Sequence, residues 1–202
     1  MSDPIAHTTA TYDRIASYYD ERFTDPPPAF AAFRERFASA LPAGARIADL
    51  GCGPGREAAW FKERGLAPVG VDLSIGMAKL AAGRGVPTVL GDLRYPPLPP
   101  ASVDGIWSAA ALLHVPSEQT EPTLRAWHAA LRPGGVLGLI TALGESEGWE
   151  PVPYRTEYER WFVHRDPGTL LAALDACGFE VSWHESNATH RTWFNVLATA
   201  RG

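Results

Sequence analysis

No run of clustered Lys and Arg occurs in these 202 residues, and the formal net charge is -5. Affinity for a phosphate backbone comes from clustered cations, so this composition argues against a nucleic-acid partner. Cysteine is scarce too. Cys52 and Cys177 are the only two and stand far apart, which leaves neither a disulfide framework nor a zinc spacing to build. A reducing, cytoplasmic setting is the expectation. Uncharged apolar runs never reach membrane-spanning length, and the first stretch, MSDPIAHTTATYDRIASYYDER, carries charges where a signal peptide would be apolar. No membrane contact is expected. With 46% hydrophobic and 20% charged residues, the chain can bury one core of its own, and residues 1–202 are expected to form a single domain.

What is present is a regular alternation. Tyr12, Ile15, Ala16 and Tyr19 fall at the i, i+3, i+4, i+7 spacing of one helical face. TDPPPAF interrupts that helix, and a second one runs through Phe30, Phe33 and Phe37 to about Leu41-Pro42. Then short apolar strands (ARIADL, LAPVGVDL, VPTVLGD, VDGIWSA, VLGLITAL) alternate with helical segments, the pattern of βαβ units and a mainly parallel sheet. Asp166-Pro167 opens a last helix, and Gly178 closes it. FEVSWH and TWFNVLATA follow with only ESNATHR between them, which predicts an antiparallel pair.

The first strand-to-helix turn of a parallel sheet is where the backbone bends sharply and a ligand comes close. Here that turn reads D-L-G-C-G-P-G, with Gly51, Gly53 and Gly55. A dinucleotide fingerprint would need glycine where Arg56 stands, and a phosphate loop would need a Gly-Lys-Ser/Thr that is absent. Asp49, two residues before the first glycine, suits a cationic or hydroxyl-rich ligand rather than a pyrophosphate.

Over nearly its whole length the sequence resembles the class I S-adenosylmethionine-dependent methyltransferases. ADLGCGPG is similar to their first motif, VGVDLS to the second strand and its acidic end, GDLRYPPLPPASVDGIWSAAALLHV to the third- and fourth-strand signature, and LRPGGVLGL to the lead into the fifth strand. Tyr12-Asp13-Arg14-Ile15-Ala16-Ser17-Tyr18-Tyr19-Asp20 resembles the opening of their small-molecule branch. The resemblance implies an α/β, Rossmann-like three-layer sandwich: a mainly parallel seven-stranded sheet with an antiparallel last strand, helices on both faces, and an N-terminal helical lid. Residues 1–42 would form that lid segment, 43–143 the cofactor-binding core, and 144–202 an acceptor-side insert with the last helix and terminal strand pair.

The cofactor so implied is S-adenosyl-L-methionine, with S-adenosyl-L-homocysteine as product. Asp72 stands roughly 20 residues beyond the glycines, where a ribose needs a carboxylate, flanked by Leu73 and Ser74. Asp92 and Leu93 correspond to the positions at the adenine amino edge, and Met77 to one that covers a ring face. Gly51 and Ser108 would offer carbonyls to the methionyl ammonium, with Asp49, Cys52, Gly53 and Ala109 beside them; Tyr12 and Tyr19 would close over the cofactor. Cys52 is read as packing, not as a nucleophile. His114 is the one titratable group in the motifs that the family places near the transferred methyl, and its ring is expected to titrate in the useful, near-neutral range, which makes it a candidate base or a positioning residue.

The branch that methylates planar amides carries an Asp/Asn-Pro-Pro-aromatic motif where this chain reads SAAALLH, and the metal-dependent catechol branch needs acidic ligands that ITALGES does not supply before Glu145. No metal is expected. Between the fifth strand and the last helix, GESEGWEPVPYRTEYERWFVHRD offers Trp149, Tyr154, Tyr158 and His164 as walls for an apolar acceptor. The bland alternative is a helix that packs Tyr158, Trp161 and Phe162 on the sheet, and for Trp161 and Phe162 it is preferred. Arg155, Arg160 and Arg165, interleaved with glutamates, read as a solvated face. The expected function is methyl transfer to an oxygen, nitrogen or carbon of a small acceptor. The rivals are a non-methylating protein that binds the same cofactor and, less well supported, a nicotinamide dehydrogenase.

Overall fold

The computed structural model describes residues 3–189 and 191–202. Helices α1 (Pro4–Arg22) and α2 (Pro28–Ser39) precede the alternating part: β1 (Arg46–Leu50), α3 (Arg56–Glu63), β2 (Ala67–Asp72), α4 (Ile75–Gly83), β3 (Thr88–Leu90), β4 (Val103–Ala109), α5 (Thr120–Ala130) and β5 (Leu131–Ala142). Next come β6 (Glu147–Val152), β7 (Arg155–Val163), α6 (Pro167–Ala176), β8 (Phe179–Ala188) and β9 (Thr192–Ala200). One sheet runs β3-β2-β1-β4-β5-β9-β8, and β6 and β7 form a separate two-stranded ribbon. Strands β3, β2, β1, β4 and β5 pair in parallel; β9 is antiparallel to both β5 and β8. The strand order reverses between β1 and β4, and the carboxyl ends of strands at such a switch point are where a ligand binds. Among the described residues no helix is long and apolar enough to cross a membrane.

Alternation along the strands builds two cores. Ile47 and Trp107 face α2 and α3, where Phe33, Phe37 and Phe61 gather round the Trp107 ring at 5.1 to 5.6 Å. Their neighbours Ala48 and Ile106 point to the other face, onto Leu124 and Trp127 of α5 and Leu170 and Leu174 of α6. Burying a set of aromatic side chains this size supplies roughly 2 kcal/mol or more each. The switch point is thereby packed on both faces.

The stretch after β5 departs from the helical alternative. Pro151 and Pro153 bar a continuous helix. Thr156, Tyr158, Trp161, Phe162 and Val163 are residues of high strand propensity. The result is the β6–β7 hairpin, in which Trp149 pairs with Trp161 and Gly148 with Phe162. A strand sends alternate residues to opposite faces, so Arg160 and Phe162 both turn inward to a buried position. The reading of three solvated arginines is corrected here: Arg155 is exposed and paired with Glu157, whereas Arg160 and Arg165 are buried at 9% and 6% exposure.

Helix α1 lies across the carboxyl end of the sheet and is tied at three places. Asp13 accepts from the Ser74 hydroxyl (2.6 Å) and the Gly76 amide (2.9 Å) at the start of α4. Thr11 donates to the Glu159 carbonyl (2.7 Å) and Thr8 accepts from the Trp161 amide (2.9 Å), both on β7. Asp20 is held by Arg56 and by both Nη2 contacts of Arg84 at 2.8 Å. Of the expected lid, residues 1 and 2 lie outside the described residues.

Candidate active site

Two cavities meet over the carboxyl ends of β1, β2 and β4. The smaller, about 120 Å³, lies between α1 and the turns after β2 and β3, with Asp72, Leu73, Ser74, Met77, Asp92 and Leu93 on its walls. The larger, about 1030 Å³, runs from the glycine turn to the hairpin and includes Asp49, Cys52, Tyr154, Arg160 and Phe162. Tyr12, Tyr19, Gly51, Gly53, Ala109, Ala110 and His114 belong to both and form the junction.

The glycine turn works through two positions. Gly51 has φ +75°, and a Cβ there would stand 2.2 Å from the Ala111 Cβ, so nothing larger fits against the next loop. Gly53 has φ +52° and open space where its Cβ would be, which leaves bare backbone facing the junction. Asp72 fixes this turn: its Oδ2 accepts from the Gly53 amide and its Oδ1 from the Ser74 amide, each at 2.8 Å. Ser74, not Asp72, caps α4, accepting from the Met77 amide at 3.1 Å. Burial pushes the Asp72 carboxyl up, against the pull of those amides. Two of a carboxylate's roughly four acceptor sites remain for a ligand.

Asp49 is 2% exposed, and its Oδ2 has no hydrogen-bond partner. Burial, with Glu57 and Asp72 nearby, holds its carboxyl well above the usual range. Cys52 is raised by burial as well, which suits packing and not nucleophilic attack. Asp92 reaches the smaller cavity, but the Arg94 fork grips it at 2.6 to 3.1 Å.

At the junction the bonds are directional. The Trp161 carbonyl can only accept, so His114 Nδ1 carries its proton and donates to it at 2.6 Å. His114 Nε2 then accepts from the Tyr12 hydroxyl at 2.9 Å, and that hydroxyl accepts from Arg160 Nη1 at 3.0 Å. Burial first, then the Arg160 charge, lowers the His114 pKa to about 3. The expectation of a ring that titrates in the neutral range is corrected: this imidazole is neutral across it, with both nitrogens engaged.

Other expected residues are placed differently. Ser108 is fully buried and donates to the Leu50 carbonyl at 2.9 Å, so Ala109 lines the junction in its place. Trp149, Tyr158 and His164 are not on either cavity wall. Trp149 packs on His7 and Trp161, Tyr158 lies near Arg155, and His164 bonds Ser146 at 2.9 Å. Of the four residues expected to wall an acceptor, Tyr154, in the β6–β7 turn, lines the larger cavity. Sequence reasoning missed Arg160, the Trp161 carbonyl and the Asp13 and Asp20 anchors. The Tyr-Asp pairs at 12–13 and 19–20 did carry the signal for the anchors, since each tyrosine faces the junction and each aspartate ties the helix down.

Comparison with known proteins identifies the family. A model described as a methyltransferase domain matches residues 48–139. An uncharacterised methyltransferase of Geobacillus thermodenitrificans is 30% identical over 193 residues, covering 88% of this chain and 88% of its own. The chain belongs to the class I S-adenosylmethionine-dependent methyltransferases. It spans 66% and 54% of the length of two other curated relatives. Among solved structures, DhpI with S-adenosylhomocysteine is similar at a TM-score of 0.78 and 23% identity, covering 98% of this chain and 97% of that one. The cyclase SpnF gives 0.78 at 18% identity, covering 99% and 98%. At those identities the likeness shows the fold.

S-adenosylmethionine is the methyltransferase family's cofactor, and the cavity fits it. The unpartnered Asp49 oxygen is an acceptor without a donor, as an ammonium requires. Gly53 leaves the open cradle, and Asp72 offers free lone pairs at the far end.

Proposed function

We propose that this protein transfers the methyl group of S-adenosylmethionine to a small aromatic or apolar acceptor held in the larger cavity. The observation that carries the reading is the junction: the narrow cavity that carries Asp72, Met77 and Asp92 and a roomy aromatic chamber share Tyr12, Tyr19, Gly53 and His114. Tyr154, Phe162, Phe23 and Phe30 give that chamber apolar walls, the usual lining of small-molecule sites.

The bound cofactor supplies an electrophilic methyl on a positively charged sulfur. Asp72 would hold the ribose hydroxyls, Asp49 with Gly51 the ammonium, and Leu73, Met77, Asp92 and Leu93 the adenine. These residues line one continuous path from the smaller cavity to the glycine turn. Residues 43–143 would thus be the cofactor-binding core, residues 1–42 its cover and residues 144–202 the acceptor side. Holding acceptor and methyl collinear supplies most of the rate effect in such a displacement. Tyr12 and Tyr19 would do this from α1, with His114 fixing the Tyr12 hydroxyl. A ring with a pKa of about 3 is a poor proton acceptor at neutral pH, so His114 is assigned a positioning role.

S-adenosylhomocysteine release tests the reading, because SpnF shares the fold and the fold alone does not separate a methyltransferase from a cyclase. Release with small aromatic acceptors and none above background with transfer RNA is expected. Release with RNA alone would contradict the small-acceptor class.

A further inference from the structure

We infer that the acceptor is a carboxylic acid, held through its carboxylate by Arg160 and methylated on a carboxylate oxygen. This rests on the methyltransferase reading above and narrows its substrate class. Arg160 is 9% exposed and lines the larger cavity, yet among the described residues it has no carboxylate within ion-pair distance. Its Nη1 donates to the Tyr12 hydroxyl at 3.0 Å, its Nε has no partner, and its guanidinium lies 5.2 Å from the Phe162 ring centre. A guanidinium does not lose its proton to escape burial, and a buried unpaired charge is costly.

Four other arginines of that wall are matched within the protein: Arg34 to Glu57 (2.8 Å), Arg56 and Arg84 to Asp20, Arg191 to Glu150 (3.4 Å). Arg22 lies 5.8 Å from the Tyr154 ring. Arg160 is left as the buried cation facing the chamber without an anion. A second donor points the same way, for the Tyr154 hydroxyl is buried on the same cavity with no partner. The carboxyl groups on this wall do not serve Arg160: Asp20 and Glu57 are engaged as above, and Asp49, Asp25 and Glu63 form no ion pair with it.

Chemistry at the junction agrees. Tyr12 and His114 are committed to each other, and His114 to the Trp161 carbonyl, so neither junction group is a free base to strip a proton from a phenol or ammonium. A carboxylate needs none. One of its oxygens forms the bond to the methyl carbon while the carbon–sulfur bond breaks. The electron pair stays on sulfur, the sulfonium and carboxylate charges are both lost, and no proton moves. The product is a methyl ester.

The anion could come from a second source, the cofactor's own carboxylate, and the test separates the two. Wild type, Arg160→Lys and Arg160→Met are titrated first with S-adenosylhomocysteine, then, saturated with it, with phenylacetate, naphthylacetate and their primary amides. Expected is binding of the acids about 10- to 100-fold tighter than the amides, the range of a charge-assisted hydrogen bond. Arg160→Met should abolish that preference and Arg160→Lys retain part of it, while S-adenosylhomocysteine affinity stays the same in all three. With S-adenosylmethionine the acids should yield methyl esters by mass spectrometry. Amides bound as tightly as acids, a preference that survives Arg160→Met, S-adenosylhomocysteine affinity lost in Arg160→Met, or no ester from any bound acid would each overturn the inference. Failure of wild type to bind S-adenosylhomocysteine at all would refute the methyltransferase reading instead.

Discussion

Replacing His114 by Gln should make the protein more tolerant of acid. In the fold the ring is neutral, with a pKa of about 3, while an unfolded chain returns it to about 6.5. Below about pH 6.5 the unfolded state therefore takes up a proton that the folded state refuses, and stability falls as pH falls. At pH 5 roughly 1.5 pH units separate the solution from the unfolded value, which at 1.36 kcal/mol per unit is ~2 kcal/mol. One edge of the ring borders the cavity, where water relieves some of the penalty, so ~1 kcal/mol is the expected loss at that pH. Urea unfolding of wild type and His114→Gln at about pH 7.5, 6.5 and 5 measures it. The difference in unfolding free energy should move in the variant's favour by ~1 kcal/mol from the highest pH to the lowest, the contributions of other groups cancelling. Two parallel curves would refute both the neutral ring and the hydrogen-bond assignment built on it.

Asp72→Ala should weaken S-adenosylmethionine binding by about 1.5 to 3 kcal/mol in a folded protein, the range for hydrogen bonds to a charged group; an unchanged calorimetric affinity would remove Asp72 from the cofactor site. Limited proteolysis should leave α1 equally protected with and without S-adenosylmethionine, because Asp13, Thr8, Thr11 and Asp20 tie it to α4, β7 and α3 without any ligand. Protection that depends on cofactor would make α1 a closing lid. Asp20→Asn, which weakens the hold of Arg56 and Arg84, should speed cleavage in α1 in either state.

The parallel core was legible because each signal was local. Gly51, Gly53 and Gly55 mark a bend that needs positive φ, Asp166 and Pro167 open a helix through their own atoms, and strand runs such as VDGIWSA announce burial on both faces. The terminal pair was legible for a similar reason, since ESNATHR is too short for a crossover. The hairpin was not. Tyr158, Trp161 and Phe162 fit the i, i+3, i+4 spacing of a helical face as well as a strand, and that spacing masked the local signals of Pro151, Pro153 and the strand-forming residues around them. The misreading of Arg160 follows from that: glutamate neighbours suggest a solvated face in a helix, but in β7 they alternate with it across the strand. His114 was found by motif and mistaken in behaviour, because burial first, and then the charge of Arg160 some 46 residues away in the chain, lower its pKa. Long-range burial leaves no local trace.

The fate of the cofactor's methyl group tests the account most directly. The protein is incubated with S-adenosylmethionine carrying an isotopically labelled methyl and a mixture of small carboxylic acids and other metabolites, and the label is followed by mass spectrometry. The account predicts labelled methyl in a small apolar acid, as its ester, with one S-adenosylhomocysteine formed for each label transferred. Cofactor bound with affinity but returned with its methyl group intact, across the whole mixture, would contradict it.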